Sequence, residues 1–150
     1  AETVFKLAGG KYSSLPGSDT LGIKMFNEFC DKHKLDSSTI KIGDGSGGSK
    51  NNLVTADFVS DFLYRNQNNA AMKYLPKPGE GTLTQRLLPI QNNLKAKTGT
   101  LANISAIAGF LISKSGKQYT FCIIINDVKL SSLDKKILED YILREAYLKL

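Results

Sequence analysis

The chain has 150 residues, 20 basic and 14 acidic side chains, and a formal net charge of +6. With 41% hydrophobic and 23% charged residues, its composition is that of a globular domain and excludes a disordered chain. No apolar run approaches the roughly 20 residues of a membrane-spanning helix, and the sequence begins at Ala1 without a methionine or a signal peptide. We therefore expect one domain, or part of one, cut or processed from a longer protein.

The cysteines and the single histidine give little chemistry. Cys30 and Cys122 each lie in an apolar pattern that favours a buried thiol, although a disulfide between them stays open. Two cysteines with His33 do not make an ordinary zinc site without carboxylate ligands. The positive charge fits an anionic partner or a plain solubilising surface equally well.

The start of the chain predicts one helix and a turn. Gly9-Gly10 and Pro16-Gly17 interrupt the first residues, and Ser18-Asp19-Thr20 offers an N-cap to a helix whose apolar face runs to about Leu35. Asp36-Ser37-Ser38 then predicts a turn, and the β-branched residues 39–42 predict a short strand.

The middle of the chain predicts a loop and two further helices. Four glycines within residues 43–49 require a tight loop. Thr55 can cap a helix in which Phe58 and Phe62 lie four residues apart. Residues 66–81 contain two prolines and two glycines and predict irregular structure, after which Thr82-Leu83-Thr84-Gln85 has the form of a capping box that starts a short helix.

The second half predicts three sequential antiparallel strands and a helix laid over them, which makes the fold class α+β. The strands are residues 94–98, 104–113 and 119–126; the second is apolar at nearly every position and should be buried on both faces. Ser115-Gly116 predicts the hairpin turn, and Ser131 or Ser132 caps the last helix, with Asp140 and Arg144 as an i, i+4 pair. The predicted core face of this helix consists of Leu133, Ile137, Leu138, Tyr141 and Ile142.

The motif that carries chemistry is Lys97-Thr98-Gly99-Thr100, on a predicted strand just before a bend. Lys-Thr-Gly is one of three motifs shared by penicillin-binding proteins and class A β-lactamases, together with Ser-x-x-Lys and Ser-x-Asn. In that setting the ammonium of Lys97 attracts a substrate carboxylate, and the hydroxyl of Thr98 donates to it. A side chain at Gly99 would obstruct the groove along the strand, and the backbone N–H of Thr100 points at the scissile carbonyl as part of an oxyanion hole.

The surroundings extend this likeness over nearly the whole chain. The sequence around the motif, from Ala96 to Leu101 and on through residues 104–110 and 121–126, is similar to the C-terminal part of the low-molecular-weight class C penicillin-binding proteins. These are the D-alanyl-D-alanine carboxypeptidase/endopeptidases of the bacterial envelope. Upstream, residues 44–49 with 52–55 resemble that family's Asp-Gly-Ser-Gly-x-Ser segment and the helix after it, except that Gly48 replaces a larger apolar residue. Residues 75–86, with Gly81-Thr82-Leu83 and Arg86, resemble the stretch before its Lys-Thr-Gly strand.

The resemblance implies an incomplete β-lactamase/DD-peptidase-like domain. In the family, Ser-x-Asn is followed within a few residues by Ala-Glu, with which this chain begins at Ala1-Glu2. We therefore expect residues 1–150 to be the C-terminal part of a DD-peptidase domain that lacks the nucleophile-bearing N-terminal part and is inactive alone. The implied catalytic residues are Lys97 and Thr100, and the implied substrate-binding residues are Thr98 and Gly99. The resemblance implies no metal and no cofactor. The implied partners are peptidoglycan stem peptides ending in D-Ala-D-Ala, β-lactams as inhibitors and the rest of the same protein, in the periplasm or extracytoplasmic envelope.

Three literal motif matches inside the chain are expected to be coincidental. Ser38 with Lys41 and Ser132 with Lys135 fit Ser-x-x-Lys, and Ser49-Lys50-Asn51 fits Ser-x-Asn. The chemistry needs serine and lysine on one helical turn, whereas Ser38 adjoins a turn, Ser132 opens a helix and Ser49 belongs to the glycine-rich loop. Two other functions stay open: a non-catalytic structural piece, and a basic domain that binds a polymer or nucleic acid.

Overall fold

The structure, a computed structural model, describes residues 1–126 and 129–150. It contains two compact units, Ala1–Phe58 and Val59–Leu150. The helices and strands are α1 (Glu2–Ser13), α2 (Asp19–Lys32), α3 (Ala56–Arg65), β1 (Leu94–Leu101), β2 (Ile104–Ile112), β3 (Gln118–Asn126) and α4 (Ser132–Lys149). The predicted α+β class with three sequential antiparallel strands is confirmed. Within the described residues no helix is both long and apolar enough to cross a bilayer.

The glycines near the start lie inside a helix, which the sequence did not predict. Helix α1 continues through Gly9 and Gly10, both buried. A Cβ on Gly9 would lie 2.3 Å from the backbone nitrogen of Gly22 in α2. The prediction that Gly9-Gly10 interrupts the first residues was therefore wrong. Because glycine has no side chain, the two helices can approach each other closely here.

The helix predicted after Ser18 and the turn at Asp36 are confirmed, but the predicted strand at residues 39–42 is wrong. Ser18 caps α2 by accepting from the N–H of Leu21 at 3.3 Å. The turn at Asp36 continues as a 3₁₀ turn, in which the Thr39 hydroxyl donates to the Asp36 carbonyl at 2.9 Å. This local bond keeps the segment curled, so that only one isolated bridge, between Lys41 and Leu53, has β character.

The glycine-rich loop is confirmed and closes around one carboxylate. Asp44 accepts backbone N–H groups from Ser46, Gly47, Gly48 and Ser49 at 2.5–3.2 Å. Burial acts to raise the pKa of Asp44, but hydrogen bonds from the Ser46 hydroxyl and N–H, the Asn52 side chain and the Gly47 N–H lower it well below its usual value. The loop is thus folded around a carboxylate that stays ionised.

The predicted helix after Thr55 is confirmed, and the short helix predicted from Thr82 is wrong. The Thr55 hydroxyl accepts the N–H of Phe58 at 3.1 Å at the start of α3. At the expected capping box, only Gly81–Leu83 form a 3₁₀ turn. The Thr84 hydroxyl donates back to the Gly81 carbonyl at 2.5 Å, and Leu87 takes a left-handed conformation with φ of 56°, which ends helical continuation.

The sheet has the order β1-β2-β3 with regular antiparallel pairing. Lys97 pairs with Ala108, which pairs with Cys122. Strand β1 continues three residues beyond the predicted Thr98, and a two-residue turn joins it to β2. β2 is buried on both faces only at Gly109–Leu111, whereas both its ends are exposed, so the expectation of double burial holds for that stretch alone.

Helix α4 begins as predicted but buries a different face. Ser131 forms a capping box with Asp134. The predicted core face is exposed: Leu133 66%, Ile137 57%, Leu138 40%, Tyr141 62% and Ile142 41%. Buried instead are Lys135, Glu139 and Leu143. The two charged residues of this face have partners that helical periodicity does not reveal: Lys135 donates to the Asn103 carbonyl at 2.9 Å, and Glu139 pairs with Arg86.

The core of the second unit lies between the sheet and α4. It includes Leu83, Leu87, Ile90, Leu94, Ala96, Ile107, Leu111 and Leu143. Both cysteines are free, with Cys30 buried and Cys122 half-buried. This confirms the preference for thiols over a disulfide, and burial raises the pKa of the Cys122 thiol to about 11.

Candidate substrate-binding strand

Lys97 lies on β1 with an exposed side chain. Its neighbour Ala96 belongs to the core under α4, so alternation places Lys97 on the opposite face of the sheet. Its ammonium bends to the strand edge and donates to the Thr98 carbonyl at 2.5 Å. Across residues 1–126 and 129–150, no carboxylate forms an ion pair with it. The charge is therefore available to an anion arriving at this edge.

The outer edge of β1 is closed at one end and open at the other. The N–H of Ala96 points away from β2 and donates to the Pro76 carbonyl at 2.9 Å. Because hydrogen-bonding direction alternates along an antiparallel strand, the N–H groups of Thr98 and Thr100 point the same way. No other described strand pairs with this edge. From Thr98 onward, β1 thus offers free backbone donors to an extended ligand.

The Thr98 hydroxyl is held at this edge by a residue to which the sequence assigned another role. Thr98 Oγ1 donates to Thr82 Oγ1 at 2.6 Å. Thr82 was predicted to cap a helix, whereas it lies in the 3₁₀ turn beside β1. The glycines and prolines before it signal a loop, but no sequence signal shows that this loop returns along β1.

Gly99 faces open space. A Cβ added there would meet no atom of the described chain within 4 Å. Contacts within the chain therefore do not require glycine at this position. The reason given from the sequence, room for a ligand along the strand, stays a prediction.

A buried ion cluster at Arg86 connects the segment before β1 to helix α4. The Arg86 guanidinium contacts Glu139 at 2.8 Å and Asp140 at 2.7 Å. Arg86 is 13% exposed and Glu139 fully buried. Burial acts to lower the pKa of Arg86, but hydrogen bonds to Asp140 and Glu139 raise it above its usual value. Asp140 thus pairs with Arg86 and not with Arg144 as predicted, because the folded chain brings a closer cation to it.

Residues of the three literal motif matches, and the single histidine, make contacts within the fold. The Ser38 hydroxyl donates to Asp36 at 2.6 Å, and Ser49 Oγ accepts an N–H within its loop. The Lys135 amine is bound to a backbone carbonyl and is buried. His33 stacks on Phe29 at the end of α2 with ring centroids 4.2 Å apart. Among the residues that the structure describes, no three metal-ligating side chains converge.

Comparison with known proteins agrees with this fold. Residues 1–145 match the model of the D-Ala-D-Ala carboxypeptidase 3 (S13) family. The chain belongs to this family of serine-type peptidases.

Two individual relatives and one solved structure are similar to this chain. The D-alanyl-D-alanine carboxypeptidase DacB of Haemophilus influenzae is 29% identical over 145 residues, which are 91% of this chain and 30% of that protein. A D-alanyl-D-alanine carboxypeptidase of an Actinomadura species is 35% identical over 106 residues, or 61% of this chain and 19% of that protein. The crystal structure of H. influenzae penicillin binding protein 4 with a β-lactam has a TM-score of 0.84 and 27% identity over 98% of this chain and 38% of that one. This chain thus spans less than two fifths of each of these relatives.

Proposed function

We propose that the chain is the C-terminal part of a DD-peptidase domain, and that the serine nucleophile and its lysine lie elsewhere in a longer protein. The share of the relatives that it spans supports this proposal. Two surfaces support it as well: the apolar side chains exposed on α4, and the outer edge of β3, which pairs with no other described strand. Both are surfaces that a larger domain would cover.

The complete protein, in this proposal, hydrolyses peptidoglycan stem peptides that end in D-Ala-D-Ala, or cross-links between them. The serine hydroxyl attacks the scissile carbonyl and forms an acyl-enzyme, the terminal D-Ala leaves with the proton, and water releases the peptide. β-Lactams would acylate the same serine; the H. influenzae relative is described in complex with one. A peptidoglycan substrate would be met in the extracytoplasmic envelope, which is the location that this proposal implies.

The open edge of β1 is the observation that carries the proposal. An extended peptide pairing there would put its terminal carboxylate near the Lys97 ammonium and the Thr98 hydroxyl, both of which lie at the edge. The Thr100 N–H, which faces the same way, would donate to the carbonyl oxygen as negative charge develops on it. Gly99 between them would leave room for the peptide.

Labelling with a fluorescent penicillin tests this function. The full-length protein that carries this chain should be labelled, and the 150-residue chain alone should not be. Lys97→Ala in the full-length protein should slow labelling about 10- to 100-fold, the effect of removing a hydrogen bond to a charged group.

Lys95→Ala is the matched control. Lys95 lies two residues away on the same face, where it packs over the Phe110 ring at 4.8 Å. Labelling should be nearly unchanged by this substitution. Equal losses in the two variants would contradict the role of Lys97, and labelling of the isolated chain would show that the nucleophile lies within it.

A further inference from the structure

We propose that Thr82 is a positioning residue that orients the Thr98 hydroxyl for the carboxylate of the substrate; this inference rests on the proposed function. The two hydroxyl oxygens lie 2.6 Å apart at the open part of the β1 edge. Thr82 is exposed and Thr98 half-buried, so the pair borders solvent where the ligand would arrive.

The turn that carries Thr82 is fixed independently of its hydroxyl. Leu83 is fully buried in the core, and its carbonyl accepts the N–H of Gly79 at 2.9 Å. The Thr84 hydroxyl closes the turn on the Gly81 carbonyl. The Thr82 hydroxyl has no such local partner among the described residues, and the contact it makes is with Thr98. Its position thus serves the neighbouring strand and not the turn.

A threonine hydroxyl has one proton and two lone pairs, so it can donate once while it accepts from another group. In this structure Thr98 donates to Thr82, which holds Oγ1 of Thr98, and not its methyl group, at the strand edge. When a carboxylate binds, the Thr98 proton turns to the carboxylate, and the Thr82 hydroxyl rotates to donate to Thr98 Oγ1. The pair forms a chain of two hydroxyls that ends on the ligand, and no covalent bond changes.

Substitution at position 82 should weaken ligand binding without slowing the chemical step. In the full-length protein, Thr82→Val should lower the apparent affinity for a β-lactam with a free carboxylate about fivefold, the effect of one neutral hydrogen bond. The limiting acylation rate at saturation should not change, because binding is lost equally in ground and transition states. Thr82→Ser keeps the hydroxyl and should stay within about twofold of wild type.

The matched control is Thr84→Val, which removes a hydroxyl from the same turn that does not contact Thr98. If the loss came from a loosened turn, Thr84→Val would reduce affinity at least as much as Thr82→Val. Thermal unfolding of both variants shows directly whether the fold has changed. The proposal expects reduced affinity in Thr82→Val alone.

A double-mutant cycle with Thr98→Val completes the test. If Thr82 acts through Thr98, the Thr82→Val change has no further effect once the Thr98 hydroxyl is gone. A fivefold effect that persists in the Thr98→Val background, or no effect of Thr82→Val in wild type, overturns the inference while wild-type acylation leaves the proposed function standing. If the wild-type protein is not acylated, the proposed function fails and this inference fails with it.

Discussion

Replacing Arg86 by methionine tests the contact that holds the turn before β1 against α4. The guanidinium lies at 2.7–2.8 Å from carboxylate oxygens of Glu139 and Asp140, and Glu139 is fully buried. One oxygen of Glu139, Oε1, already has no hydrogen-bond partner among the described residues. Without Arg86 the whole Glu139 carboxylate is buried without a cation. Breaking one side of such a pair costs about 3 to 5 kcal/mol in free energy of unfolding.

Two further variants separate the buried charge from the loss of a side chain. Arg65→Met removes an arginine from its ion pair with Asp61. The two side chains of this pair are 38% and 36% exposed. Solvent weakens that pair, so the expected loss is about 0.5 kcal/mol or less. In the double variant Arg86→Met with Glu139→Leu, both the cation and its buried partner are removed, and most of the stability should return.

Urea unfolding, followed by circular dichroism, measures the free energy of unfolding of all three variants. For a domain of this size, a loss of about 3 to 5 kcal/mol corresponds to a melting temperature lowered by about 6 to 20 °C. The reasoning is refuted if Arg86→Met and Arg65→Met lose the same stability. It is refuted also if the double variant is no more stable than Arg86→Met.

The described contacts support four more predictions. Gly109→Ala should lower stability by about 1 to 3 kcal/mol, because the added Cβ would lie 2.1 Å from the Lys95 carbonyl oxygen. Gly99→Ala should leave the melting temperature unchanged yet slow penicillin labelling of the full-length protein. Because the folded-state pKa of Asp44 is lowered, its ionised carboxylate stabilises the fold fully above the unfolded carboxyl pKa of about 4. This stabilisation is lost as the pH falls toward the folded-state pKa. Urea midpoints measured from pH 6 down to pH 2 should therefore fall less steeply in Asp44→Asn. With its pKa raised to about 11, the Cys122 thiol should react slowly with a disulfide reagent at pH 8 in the folded chain, and rapid labelling would contradict its burial.

Much of the second unit could be predicted because its signals are local. The Ser131 cap, the Ser115-Gly116 turn and the strand predicted over residues 119–126 depend on residues close in sequence, and all three were confirmed. The order of the strands followed from the short connections, which favour neighbouring antiparallel pairs. The Lys-Thr-Gly segment was correctly placed on a strand for the same reason.

The errors arose where distant residues compete with a local pattern. Gly9 resembles an interruption until the backbone of Gly22 is known to lie against it. Thr82 fits a helix cap until its hydroxyl is seen to bond to Thr98. On α4, an apolar stripe predicted the core-facing side, but a buried Glu139 is tolerated once Arg86 reaches it from the segment before β1. In each case the deciding partner is far away in sequence.

Stability and the candidate site meet in one short segment, residues 76–86. Its Pro76 carbonyl closes the β1 edge at Ala96, and its Thr82 hydroxyl holds Thr98 where that edge opens. Leu83 fixes the segment in the core, and Arg86 ties it to α4. Loosening Arg86 should therefore disturb the hydroxyl pair as well as the fold, whereas Thr82→Val removes only the pair. If Arg86→Met weakened the fold but left β-lactam affinity unchanged below its melting temperature, the segment would hold Thr82 in place through Leu83 alone.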